Sequence, residues 1–143
     1  MRYMLDTNIC ILAVRKNNDV LTQIKRHERL LFLSAITLSE LEHGIYNSNI
    51  LYQQKNRTAL ICFLSILTVL PYDDIAAQKY GILRADLQKR KCLIGNMDML
   101  IAAHALSENM ILATNNTREF SRVQGLLYED WLSPDNKCQS PQP

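Results

Sequence analysis

At 143 residues, 48% hydrophobic and 21% charged, the chain reads as one soluble globular domain that buries about two thirds of its unfolded surface, which excludes disordered, fibrous and repeat classes. A formal charge of +2 is too small for a general nucleic-acid footprint, so any such contact must rest on local patches. Cys10, Cys62, Cys92 and Cys138 stand far apart with no Cys-x-x-Cys pair, which excludes an ordinary zinc motif and suggests reduced thiols, with Cys10 and Cys62 as small core residues.

In chain order, Tyr3, Met4 and Leu5 form a short buried strand, and Asp6, Thr7 and Asn8 mark the change from strand to helix, with Thr7 or Asn8 as the cap. A short helix over 9–14 and a second one capped by Asp19 lead to a second strand over 30–33. Thr37 begins a helix that runs to about Ser48, and another follows over 51–67. Residues 68–70 read as a strand ended by Pro71, and Asp73 and Asp74 cap a helix reaching about Arg90. A connection containing Gly95 leads to a helix over 97–106, apolar nearly all round and therefore buried. A strand over 110–113, a polar turn at 114–116, a helical turn over 117–120 and an edge strand within 126–131 complete the domain. The proline-bearing segment 133–143 reads as a disordered tail.

Strands alternating with helices imply an α/β fold with a parallel sheet whose carboxyl ends form one functional rim. No apolar run is long enough to span a bilayer, and Asp6 comes too early for a signal peptide, so a cytoplasmic protein without a membrane segment is expected.

Four carboxylates fall where that rim would be. Asp6 follows the first strand, Glu40 lies in the helix after the second, Asp98 opens the buried helix, and Glu119 follows the strand over 110–113. Each has a plainer reading. Asp6 could cap its helix, Glu40 completes a capping-box pattern with Thr37, Glu119 could pair Arg118 or Arg122, and Glu42 points off another face into solvent. Asp98 is the hardest to explain structurally, because only it and His104 interrupt the apolar run over 97–106; His104 itself reads as a satisfied core histidine. Clustered carboxylates repel, by about 4 kcal/mol for two charges about 4 Å apart at a surface-like dielectric. A cluster of oxygen donors therefore calls for Mg²⁺ or Mn²⁺, ions suited to phosphodiester hydrolysis.

Four segments in order carry a resemblance: Met4-Leu5-Asp6-Thr7-Asn8; Thr37-Leu38-Ser39-Glu40-Leu41 with Gly44; Ile94-Gly95-Asn96-Met97-Asp98 with Leu100-Ile101-Ala102-Ala103-His104-Ala105; and Thr114-Asn115-Asn116-Thr117-Arg118-Glu119-Phe120. Together they resemble the PIN-domain ribonucleases, specifically the VapC toxins of bacterial type II toxin–antitoxin systems. The resemblance implies a three-layer α/β/α domain over 1–132 around a mainly parallel sheet of four to five strands. It implies that Asp6, Glu40 and Asp98 hold Mg²⁺ or Mn²⁺, with Glu119 at the fourth acidic position, where many members have Asp. Thr7, Thr114 and Asn116 would support the carboxylates or the attacking water, or serve only as turn and cap residues.

The resemblance further implies an endoribonuclease acting on structured RNA, with the anticodon loop of initiator tRNA as the first candidate. It implies a homodimer and a VapB-like antitoxin that wraps the toxin and carries the DNA-binding part, so that DNA is met only through the complex. Arg84 and Lys91 are candidate phosphate contacts, as are Arg118 and Arg122, although a basic helix end is also favoured by the helix dipole. The competing readings are a non-toxin PIN nuclease of RNA processing, a catalytically idle PIN binding module, and a phosphoaspartyl phosphatase. The last is disfavoured because Asn8 stands where that chemistry needs an acid.

Overall fold

Tyr3–Leu5 (β1) is buried along its length and divides its side chains by alternation. Tyr3 and Leu5 enter one hydrophobic cluster and Met4 the other. A strand buried on both faces belongs at the centre of a sheet with helices on each side. A computed structural model describes residues 1–132 and 138–139. After β1 come α1 (Thr7–Val14), α2 (Asn18–Arg26), β2 (Leu31–Ser34), α3 (Ala35–Tyr46), α4 (Ile50–Leu64), β3 (Thr68–Leu70), α5 (Asp74–Lys89), α6 (Asn96–Ser107), β4 (Ile111–Thr114), α7 (Thr117–Phe120), β5 (Tyr128–Asp130) and β6 (Cys138–Gln139).

The strand order is β3-β2-β1-β4-β5-β6. The first five strands are parallel, with Tyr3 beside both Leu31 and Ile111 and with Ala113 beside Glu129. β6 runs antiparallel along β5, so β5 is not the edge strand. The disorder expected over 133–143 falls otherwise on residues outside those described; Cys138–Gln139 forms a strand instead. One face of the sheet packs on residues from α1 to α4, the other on α5, α6 and α7. The expected α/β/α layering and parallel sheet are therefore both present.

The helix starts differ from the sequence expectation in ways that matter for the site. Asp6 is itself the N-cap of α1, its Oδ1 accepting from the Ile9 amide at 2.9 Å, so neither Thr7 nor Asn8 is the cap. Asn17, not Asp19, caps α2. Ser34 caps α3 through the Ile36 amide, which starts that helix at Ala35 and leaves Glu40 inside it rather than in a capping box. Asp73 caps α5 as expected. Gly95 is the N-cap of α6 and makes no side-chain cap, so Asp98, in the first turn, is not tied to a capping role. Two further expectations fail. Glu42 is not free in solvent but forms a two-bond pair with Arg57 at 2.6 and 2.7 Å, and Cys62 lies exposed on α4 rather than in the core.

Candidate active site

Because the strands are parallel, their carboxyl ends share one edge of the sheet. From β1 the chain goes to β2 and β3 on one side and then crosses to β4 and β5 on the other. The ends of β1 and β4 therefore flank the switch point, the usual crevice for a ligand in such sheets. Asp6 leaves β1 there and Thr114 ends β4. The Thr114 hydroxyl donates to Asp6 Oδ2 at 2.5 Å and accepts from the Asn116 amide at 2.8 Å. The Asn116 side-chain amide in turn donates to Glu119 Oε2 at 2.8 Å. Glu119 and Asp98 lie within hydrogen-bonding reach of each other, and the Gly95 amide lies near enough to Glu119 to lower its carboxyl. On the other flank, the Thr7 hydroxyl donates to Glu40 Oε1 at 2.6 Å. All four acids and all three polar supports named from the sequence thus meet at one edge.

Two helix N-termini, those of α1 and α6, face this cluster and favour negative charge. Burial and mutual repulsion oppose them. Asp6 is only 4% exposed, and desolvation lifts its carboxyl to about 6 against the bonds from Thr114 and Ile9, with Glu40 adding repulsion. Desolvation also lifts Asp98, to about 7, reinforced by the hydrogen bond and charge of Glu119 and by the charges of Asp6 and Glu40. Glu119 moves the other way, held low first by its hydrogen bond with Asp98 and then by Asn116, Arg122 and the Gly95 amide. Within the pair a proton therefore favours Asp98 over Glu119.

Among the described residues no Lys or Arg is ion-paired with any of the four acids; the pairs are Arg57 with Glu42 and Arg90 with Asp86. An uncompensated acidic cluster of oxygen donors suits a hard divalent cation. No three Asp, Glu, His or Cys side chains among the described residues stand ready to hold one ion between them. That is compatible with Mg²⁺, which takes one or two carboxylates directly and keeps several waters. Cys10 lies one turn beyond Asp6, fully buried, and burial pushes its thiol well up.

His104 is fully buried, its Nδ1 2.7 Å from Ser34 Oγ and its ring edge-on to Tyr72 at 5.6 Å. Burial lowers its pKa, so it stays neutral. It belongs to the core, although its Nε2 has no partner among the described residues. Of the basic residues, Arg84 donates to the Tyr80 hydroxyl at 2.6 Å and lies over that ring, which engages it within α5. Lys91 and Arg118 are exposed. Arg122 is turned onto the Leu93 carbonyl. The residue that the sequence reading overlooked is Gly95: a Cβ there would stand 3.3 Å from Asp98 Oδ2. A glycine three residues before a buried acid was its only sequence signal.

Residues 3–126 match the PIN domain family. The chain is 38% identical to ribonuclease VapC2 of Rickettsia felis over 92% of its length and 98% of that protein's. The chain belongs to the VapC family of PIN-domain ribonucleases. It is also 39% identical to the tRNA(fMet)-specific endonuclease VapC of Shigella flexneri, again over 92% of this chain and 98% of the relative. Among solved structures, a chain of VapBC2 from R. felis, a complex bound to a DNA fragment from its promoter, superposes with a TM-score of 0.87 at 36% identity, covering 92% of this chain and 99% of that one. VapBC from Salmonella typhimurium, also bound to DNA, gives 0.87 at 37%, covering 92% and 98%.

Proposed function

We propose that this VapC-family chain is a toxic Mg²⁺- or Mn²⁺-dependent endoribonuclease in which Asp6, Glu40 and Asp98 hold the cation and Glu119 completes the acidic set. The observation that carries this reading is the gathering of four carboxyls at the sheet's switch point, with two of them lifted to about 6 and 7 and, among the described residues, no basic side chain ion-paired to them. A cation bound there would polarise the phosphodiester and lower the pKa of an attacking water. The chain's own residues prepare for it. Thr114 and the Ile9 amide fix both oxygens of Asp6. Thr7 occupies one oxygen of Glu40 and leaves the other without a hydrogen bond among the described residues. A cation bound there would favour the ionised form of Asp98, which would couple ion binding to pH.

For the RNA, relatives from S. flexneri and S. typhimurium, 39% and 37% identical, are named tRNA(fMet)-specific endonucleases. We take initiator tRNA, cut in its anticodon loop in the cytoplasm with loss of translation, as the substrate. Exposed Lys91 is the first phosphate contact at the loop leading to Asp98, and Arg84 could join it only by leaving Tyr80. A VapB-like antitoxin is the partner, with DNA bound only through the complex, and the toxin is a homodimer. A groove lined by Ile11, Leu41, Ile45 and Leu60 together with Arg15 and Glu40 offers an apolar seat for an antitoxin segment beside one of the acids.

The test is incubation of the purified chain with individual tRNAs and mapping of the ends. One cut in the initiator anticodon loop supports the reading. Cuts confined to other RNAs replace the substrate, and restored growth on co-expression of the neighbouring antitoxin frame supports the partner.

A further inference from the structure

Arg90 and Arg122 each give part of the guanidinium to a backbone carbonyl of a separate segment, Arg90 dividing its own between that carbonyl and Asp86. Arg90, at the end of α5, places Nη2 2.5 Å from Asp86 Oδ2 and 2.6 Å from the carbonyl of Arg122. Arg122, just beyond α7, donates Nη1 to the carbonyl of Leu93 at 3.2 Å. The two bonds cross. The first draws the segment after α7 onto α5, and the second draws the loop after α5 onto that same segment. The loop needs holding, since Lys91 turns it through a left-handed backbone conformation at φ 56°.

Leu93 lies two residues before Gly95, whose missing Cβ makes room for Asp98 Oδ2 and whose amide lies near enough to Glu119 to lower its carboxyl. Glu119 in turn lies three residues before Arg122. The crossed bonds therefore close a short ring: Arg122 to Leu93, along the chain to Gly95, across to Glu119, and back through one helical turn. We propose that Arg122, braced by Arg90, is a positioning residue that sets the placement of Gly95 and Asp98 against Glu119, and is not a phosphate contact. Its consequence for ion binding rests on the cation site proposed above; the tie itself does not.

Arg122→Gln removes both the bond to Leu93 and the positive charge near Glu119, whereas Arg122→Lys keeps the charge and loses the planar fork. Arg90→Gln, at an exposed position, leaves the ring's own residues in place but removes the brace on the Arg122 carbonyl, and guards against a misfolded Arg122 variant. The measurements are the Gly95 amide resonance of the metal-free protein, Mn²⁺ affinity by electron paramagnetic resonance, RNA affinity in EDTA, and the melting temperature.

The expected result is that Arg122→Gln and Arg90→Gln both displace the Gly95 resonance and weaken Mn²⁺ binding by about tenfold, the usual scale for groups that orient metal ligands, while RNA affinity is unchanged. Arg122→Lys should recover only part of the Mn²⁺ affinity. An unmoved Gly95 resonance overturns the tie, as does a loss of RNA affinity with normal Mn²⁺ binding, which would make Arg122 a phosphate contact. Full Mn²⁺ recovery in Arg122→Lys with the resonance still displaced also overturns it, since charge alone would then matter. If the wild-type chain binds no Mn²⁺, the cation site fails and the resonance alone decides the tie.

Discussion

The Thr114 hydroxyl and the Asp6 carboxylate are 2.5 Å apart although 108 positions separate them in the chain. This bond joins the carboxyl ends of β4 and β1 across the switch point and is the first step of a relay through Asn116 to Glu119. Thr114→Val keeps the shape and removes the donor. Metal affinity or activity should fall by about 10- to 100-fold, as for other groups that support a metal ligand. Mn²⁺ titration of the cleavage rate checks this; a rate and an Mn²⁺ dependence equal to wild type would reduce Thr114 to a turn residue.

Asp6→Asn separates the two roles of Asp6. Asn caps helices about as well as Asp, so the bond from the Ile9 amide survives and α1 should keep its start. Only the charge is lost. Cleavage and growth inhibition should disappear while circular dichroism and the melting temperature stay close to wild type. Wild-type cleavage by the purified mutant would remove Asp6 from the essential set.

Asp98 and Glu119 should differ in weight. Asp98 feels the charges of Asp6, Glu40 and Glu119 together, whereas Glu119 answers chiefly to Asp98, Asn116 and Arg122. Glu119→Ala is expected to cost less activity than Asp98→Ala. Equal losses in a side-by-side RNA assay would place Glu119 among the primary ligands.

Stability should carry the opposite pH dependence from that of an ordinary salt-bridged acid. Folded Asp6 and Asp98 hold protons up to about 6 and 7, whereas unfolded Asp releases them near about 4. Between these limits the native state binds more protons than the unfolded one, so stability falls as pH rises through the window. Glu119 is lowered instead, and its contribution is lost only below the ordinary carboxylate range. In EDTA the melting temperature should therefore increase on going from about pH 8 to about pH 5, with added Mg²⁺ stabilising more at the higher pH. A melting temperature that is flat in EDTA and unmoved by Mg²⁺ would contradict the electrostatic account of the cluster.

Much of this could be read from the residues before any coordinates. Tyr3, Met4 and Leu5 announce a buried strand, the unbroken apolar character around Asp98 announces a buried helix, and the four acids follow because parallel strands share one carboxyl edge. The helix starts could not be read so well. Ser34, Asn17 and Asp6 each took the cap from a rival one to three residues away that carries equally suitable chemistry, and only tertiary packing chose between them. Arg57 on α4 found Glu42 on α3 because the two helices lie together, a neighbourhood that periodicity does not encode. The same holds for Arg122 and Leu93, and for the clearance at Gly95 beside Asp98. The Arg57–Glu42 and Arg122–Leu93 bonds join separate elements, and they leave no mark in spacing or composition.

The most direct measurement is cleavage of total RNA and tRNA by the antitoxin-free chain in Mg²⁺, in Mn²⁺ and in EDTA, beside Asp98→Ala. Discrete cuts that need the metal and vanish in the mutant are the predicted result. Cuts that persist in EDTA or in Asp98→Ala would contradict the acidic metal site, and no cleavage under any condition would leave the fold as a binding module rather than a nuclease.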